Sequence, residues 1–263
     1  MKYRLGIIFI CFFILLVQFG SAATLEETFE KKVEFAPGGF ISLENVNGKV
    51  EVNGWDQNTV SIEAVKKVKA SDEKDAKRFM KEVEIEISRN KNELFIKTKL
   101  PENMRSGLLD WIFGDGTSAS VNYVIHVPQK SDLDLNLTNG AVSVTRVTGR
   151  LKLKSTNGKI EATKVFGEMD AHTTNGSIAA EFDQLSKDGK SDISTTNGSI
   201  KIQLPSEAAV EVKGKTVNGS INTDFPLEVS GKYNSKKLSG TINGGGSTMD
   251  ISTTNGSIEL MKK

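Results

Sequence analysis

Apolar and polar residues alternate with period two along most of this chain, and a glycine opens each stretch of alternation. Val142 and Val144 follow Gly140, Leu151 and Leu153 follow Gly149, and Ile160 and Ala162 follow Gly158. Met169 and Ala171 follow Gly167, and Ile178 and Ala180 follow Gly176. Gly198 with Ile200 and Ile202, and Gly256 with Ile258 and Leu260, repeat the pattern. Between the apolar positions lie Ser, Lys, Glu, Arg or Asp. Such alternation makes strands with one buried and one wet face. From Gly140 to Gly176 the glycines are nine residues apart. A unit that short cannot bury its own apolar face, but stacking on its neighbours does, so the short period predicts a solenoid. The expected fold class is all-β, a β-solenoid or single-stranded β-helix with a small helical insertion. Two units make a turn of 18 residues, from Gly140 to Gly158. The spacing lengthens to 22 and 21 between Gly176, Gly198 and Gly219. Segments such as 184–190 are therefore expected to bulge outward.

Asn precedes Gly at Asn47-Gly48, Asn139-Gly140, Asn157-Gly158, Asn175-Gly176, Asn197-Gly198, Asn218-Gly219 and Asn255-Gly256. The pair suits a tight corner, because Gly accepts positive φ freely and Asn tolerates it. It also suits two-residue hairpins. The uniform step and the repeated Thr-Thr-Asn-Gly favour stacked corners, where Thr and Asn side chains bond their counterparts above and below.

Residues 24–128 are β-rich but less regular, and 129–263 carry the regular repeats. Phe40 to Val52, with Asn47-Gly48 at its centre, reads as a first turn of the stack. One helix is predicted over about 71–83. Ser71 serves as its cap, Asp72 and Glu73 suit its positive end, and Ala76, Phe79, Met80 and Val83 share a face. Its expected place is an open end or flank of the stack. Lys262 and Lys263 are expected to blunt the last strand edge.

Residues 1–23 read as a secretory signal. Lys2 and Arg4 precede the apolar run Leu5 to Phe19, and Gly20, Ser21, Ala22 and Ala23 suit cleavage after Ala22 or Ala23. The run is shorter than the roughly 20 residues of a spanning helix. No stable membrane span is expected after cleavage, and the expected location is periplasmic, extracellular or cell-surface. Cys11, the single cysteine, leaves with the signal, so no disulfide is expected. Removing two of 34 basic residues leaves 32 against 33 acidic, a net charge of −1. A near-neutral chain has no electrostatic reason to bind nucleic acid.

Three passages carry a family resemblance: Leu43 to Trp55, Val121 to Pro128, and the later Thr-Thr-Asn-Gly-Ser-Ile copies. They resemble bacterial β-strand-repeat proteins that share a domain of unknown function and carry the name “putative adhesin”. The resemblance runs from about residue 36 to the end. It implies a β-helical or β-solenoid fold in envelope or exported proteins, and it supplies no catalytic residues.

Candidate chemistry is sparse. His126 and His172 have no second His or Cys at ligand spacing. Asp132 and Asp134 alternate on one strand face, which reads as solvated. Gly244-Gly245-Gly246 with Asp250 is one imperfect copy of a motif that binds calcium only in tandem. No Gly-x-Ser-x-Gly, Walker or His-Glu-x-x-His motif occurs. No catalytic, cofactor-binding or metal-ligating residue and no cofactor are expected. An apolar patch at Leu108, Leu109, Trp111, Ile112 and Phe113 interrupts a Gly/Ser-flanked insertion. It is the candidate contact for a partner, an unidentified protein or glycan of the envelope, with core cover as its other reading. The leading expectation is an exported, non-catalytic, adhesin-like binding or scaffold protein. A glycan-active enzyme on a β-helix scaffold, or an accessory to envelope stress sensing, is the alternative.

Overall fold

The computed structural model describes residues 14–19, 22–101, 116–226, 228–229 and 235–263. These residues are nearly all β, with one helix, and their strands join into one continuous sheet that curls around the core. The chain begins with β1 (Ile14–Phe19), β2 (Ala22–Glu34), β3 (Gly39–Asn47), β4 (Val50–Trp55) and β5 (Thr59–Ala70). Helix α1 (Glu73–Glu82) follows, then β6 (Glu84–Asn90), β7 (Glu93–Lys99) and β8 (Ser118–Pro128). The repeats supply β9 (Ser131–Asn139), β10 (Val142–Thr145), β11 (Thr148–Asn157), β12 (Ile160–Asn175), β13 (Ile178–Leu185), β14 (Lys190–Asn197) and β15 (Ile200–Leu204). The last strands are β16 (Val210–Asn218), β17 (Ile221–Thr223), β18 (Glu228–Val229), β19 (Lys237–Ile242), β20 (Ser247–Asn255) and β21 (Ile258–Lys262).

The parallel register is that of a solenoid-like stack with two rows of strands. One row runs β7, β3, β9, β11, the second part of β12, β14, β20, β16. The other runs β8, β4, β10, the first part of β12, β13, β15, β21, β17. Matching glycine-framed residues stand in line: Val50, Val142, Ile160, Ile178, Ile200, Ile258 and Ile221 form one buried column. All the apolar positions two and four residues past the seven glycines named at the outset are buried.

The rungs do not follow chain order at either end. After β15 the chain places β16 and β17 one rung too far out, returns through β19, and lays β20 and β21 into the gap. At the other end β7 and β8 lie outside β3 and β4. The antiparallel strands β6 on one row, and β5, β2 and β1 on the other, continue the sheet beyond them. The final strand is thus not an edge. Lys263 instead ion-pairs with Glu181 and Asp183, and its amide donates to Leu204.

The helix starts two residues later than Ser71, because Asp72 takes the cap, its carboxylate accepting from Asp75 N–H at 2.8 Å. Ala76, Phe79 and Met80 are its buried face, turned toward β2 and β5.

The Asn-Gly corners share close approach, whereas positive φ occurs at only two of their glycines, Gly48 and Gly256, with φ of 119° and 158°. Neither the corner Asn residues nor Gly140, Gly158, Gly176 and Gly198 have φ in the left-handed region. Instead, a Cβ on Gly140, Gly158, Gly176, Gly198, Gly256 or Gly219 would collide with the carbonyl oxygen of the corner glycine one rung back along the stack. Left-handed residues occur at the opposite corner, where Arg146 and Lys164 have φ of 57° and 54°.

Candidate functional site

Three hydrogen-bond ladders line the Asn-Gly corner. In the first, every corner glycine N–H except that of Gly219 donates to an Asn carbonyl of the next rung, as from Gly158 to Asn175 and from Gly176 to Asn197, both 3.0 Å. In the second, a hydroxyl two residues before the Asn donates to the glycine carbonyl of the preceding rung. Ser155, Thr173, Thr195, Thr253 and Thr216 do so at 2.8–3.0 Å. These five hydroxyl residues are buried, which explains why the first Thr of each Thr-Thr pair recurs. In the third, the Asn side chains bond one another in the order Asn47, Asn139, Asn157, Asn175, Asn197, Asn255, Asn218, at 2.7–2.9 Å. Asn47 closes one end by donating to the Ala119 carbonyl at 3.1 Å.

On five rungs the residue just before the corner Asn is an outward-facing threonine. Thr138, Thr156, Thr174, Thr196 and Thr254 stand on successive strands of one row, all exposed and with no hydrogen bond from their hydroxyls. They form a single rank beside the Asn ladder, at the strand spacing of about 4.8 Å. Adjacent threonines face opposite sides of a strand. The outward members nevertheless line up between rungs.

Above this rank the same face carries charge in ordered rows. Asp170, Asp192 and Asp250 are lateral neighbours on β12, β14 and β20. Lys152 bonds Asp134 at 2.9 Å, and that bond together with the carboxylate's charge raises the Lys152 pKa above its ordinary value. Arg150 holds Glu168 at 2.8 Å, and its amide donates to Asp132 at 2.8 Å. Lys190 lies 3.9 Å from Asp250. Arg150, Glu168, Asp170, Lys190 and Asp192 line a shallow depression of about 310 Å³. Asp132 and Asp134 are thus engaged with Arg150 and Lys152. Among the described residues no group of three or more His, Cys, Asp or Glu side chains is arranged to hold a metal ion.

His172 lies at the edge of this depression. Its Nε2 meets Asp170 Oδ1, an oxygen shielded from solvent that makes no aligned hydrogen bond, and its Nδ1 lies 2.5 Å from Ser194 Oγ. With the proton on Nε2, facing the carboxylate, Nδ1 accepts from the serine. This Ser-His-Asp chain matches no short linear motif. The repeat contained the clue: His172 and Ser194 each lie three residues before a corner Asn, so the register makes them neighbours. An acyl-transfer site also needs N–H donors for an oxyanion. β14 is paired on both sides, with β12 and β20, and those ladders take up the strand N–H groups around Ser194.

His126 has a different setting. It stacks on Trp55 with ring centroids 5.1 Å apart, and Lys32 Nζ lies 5.3 Å from the indole. Trp55 Nε1 donates to the Thr59 carbonyl at 2.8 Å, so this half-buried cluster ties β4 to β5. Leu108, Leu109, Trp111, Ile112 and Phe113 lie outside the described residues. No helix among the described residues is long and apolar enough to cross a membrane.

Residues 41–261 match the family model described as Toastrack DUF4097. The chain belongs to this family. Like the name, the stacked parallel rungs of this Toastrack member are solenoid-like, and the family is one of unknown function. No curated protein matches the chain. Among solved structures it is similar to a “putative cell adhesion protein” from Clostridium sporogenes, with 14% identity and a TM-score of 0.46, covering 90% of this chain and 100% of that one. It is also similar to a “putative adhesin” from Bacteroides fragilis, with 10% identity, a TM-score of 0.42 and coverage of 90% and 97%. A “putative lipid binding protein” from Parabacteroides distasonis has 10% identity, a TM-score of 0.31 and coverage of 89% and 96%.

Proposed function

We propose that this Toastrack protein is an exported, non-catalytic binding or scaffold module of the bacterial envelope, adhesin-like in the sense of presenting a rigid, repeating surface. In this reading residues 1–23 are a cleaved signal, and the mature domain is a single-stranded β-helix. Cleavage after Ala22 or Ala23 removes β1 and leaves β2 as the edge of its row. The observation that supports binding is the rank of outward threonines with unused hydroxyls beside the Asn ladder. A ligand that repeats along the stack, such as an extended polar glycan, meets the same donors and acceptors at every rung. The test is co-sedimentation of the purified protein with insoluble envelope polysaccharide. The parent should pellet, and a Thr156→Val, Thr174→Val, Thr196→Val triple variant should stay in solution with its β-sheet circular dichroism intact. Equal pelleting of both proteins, or none by the parent, removes the threonine rank from the function. The loop at Leu108 to Phe113 is the second candidate contact, tested by capture of an envelope protein with parent and Trp111→Ser chains.

One observation favours a hydrolytic reading, the Asp170–His172–Ser194 chain. Labelling of Ser194 by an activated phosphonate, lost in His172→Ala, would replace the non-catalytic reading.

A further inference from the structure

Asn-Gly is the sequence most prone to spontaneous deamidation, because glycine leaves its own amide nitrogen free to reach the Asn side-chain carbonyl carbon. The corner ladders suppress this reaction rung by rung. At Asn47-Gly48, Asn139-Gly140, Asn157-Gly158, Asn175-Gly176, Asn197-Gly198 and Asn255-Gly256 the glycine N–H is already donated to the next rung. In the same six pairs the Asn amide is held on both sides, its NH2 donating and its oxygen accepting. Asn218-Gly219 is the exception. It stands at the open end of the ladder. Its NH2 donates to Asn255 at 2.8 Å, its oxygen accepts nothing, and the Gly219 N–H makes no hydrogen bond. Val217, Asn218 and Gly219 are all exposed.

We infer that Asn218-Gly219 is a self-modification site, at which water is the only co-reactant. Base removes the Gly219 amide proton, and the nitrogen attacks Asn218 Cγ. The new C–N bond closes a succinimide as the Cγ–Nδ2 bond breaks and ammonia leaves. Water then opens the ring at either carbonyl, giving aspartate or isoaspartate at position 218. Both products put a negative charge at the open end, and the isoaspartate adds a methylene to the backbone beside the last rung. Either product loses the amide NH2 that bonds Asn255. Asn243-Gly244 lies off the ladder and differs in having its NH2 held by two carbonyls, Ser206 at 3.0 Å and Ala208 at 2.9 Å.

The test is peptide mapping by mass spectrometry of the full chain held in mildly alkaline buffer, with enzymatic methylation to mark isoaspartate. Position 218 should convert about tenfold faster than positions 175, 197 and 255, the factor that one lost hydrogen bond sets. Those four sites share Asn-Gly-Ser, so the same samples in denaturant should react alike. A Val217→Thr variant gives position 218 the Thr-Asn-Gly-Ser context of the interior sites and should keep its lead in the folded protein. Conversion at 218 no faster than at the interior sites, slower than at 243, or a lead that persists in denaturant would overturn the inference.

Discussion

Replacing Gly176 separates two explanations of the Asn-Gly corner. If the corner needed positive φ, Asn would be tolerated there and Ala would not. Close approach instead rejects both, because any Cβ meets the Gly158 carbonyl and the Lys159 nitrogen, which are backbone atoms of the adjacent rung. Overpacking against a fixed neighbour costs about 1–3 kcal/mol. Moving the rungs apart also strains the Gly158 N–H bond to Asn175 at 3.0 Å and the Thr173 bond to the Gly158 carbonyl at 2.9 Å, at about 1 kcal/mol each. The lower unfolded-chain entropy of Ala returns about 0.4–1 kcal/mol. The net loss is about 3 kcal/mol, which for a domain of this size lowers Tm by about 6–12 °C. Gly214 is the internal control. It sits mid-strand, and its Cβ would meet side chains and no backbone, the nearest being Ile221 Cδ1 at 3.3 Å and Leu238 Cβ at 3.4 Å, so Gly214→Ala should fall within about 1 kcal/mol of the parent. Thermal unfolding followed by circular dichroism measures all three variants. Gly176→Asn at parental stability would refute the close-approach argument.

Other perturbations probe the remaining ladders and the buried phenol. Asn175→Ala removes two ladder bonds and Asn218→Ala one, so denaturant titration should find the interior change about twice as costly, near 1 kcal/mol per bond at most because the ladder is exposed. Thr173→Val leaves the Gly158 carbonyl without its 2.9 Å donor and should cost about 1–2 kcal/mol, while Thr174→Val should change stability by less than about 0.5 kcal/mol. Burial pushes the Tyr123 phenol up to about 12, against a smaller lowering by its bond to Thr98. The folded state resists ionisation that the unfolded state accepts, so this contribution is intact below about pH 10 and is lost as pH rises toward 12, by about 3 kcal/mol in all. Unfolding free energy measured across that window should fall for the parent, with that component absent in Tyr123→Phe.

The periodic alternation revealed which side chains are buried, because a rung's inward positions depend only on the glycine frame, and Val142, Leu151, Ile160, Met169 and Ile178 all obey it. The helix was legible from its apolar face, but its cap moved from Ser71 to Asp72, whose carboxylate accepts from the Asp75 amide and sets the first turn. The order of the rungs was not legible. Equivalent repeats offer nearly equivalent edges, so local pattern does not say whether β16 or β20 lies next to β14. Gly219 and Gly256 share the corner sequence Asn-Gly-Ser-Ile, and it is the Gly219 rung, through β16, that takes the antiparallel return of β19 on its outer side. The reason for the corner glycine was also hidden, since a collision with another rung has no trace in the residue's own neighbours. The same holds for His172 and Ser194, 22 residues apart and in contact, whose pairing follows from the repeat and from no short motif.

The out-of-order last rung ties two rungs into one unit. Each parallel strand from β9 to β15 lies against a strand that precedes it in the chain. The parallel neighbours of β16 and β17, in contrast, are β20 and β21, which follow them. Removing β20 and β21 would therefore take β16 and β17 off the stack as well, so these two rungs stand or fall together.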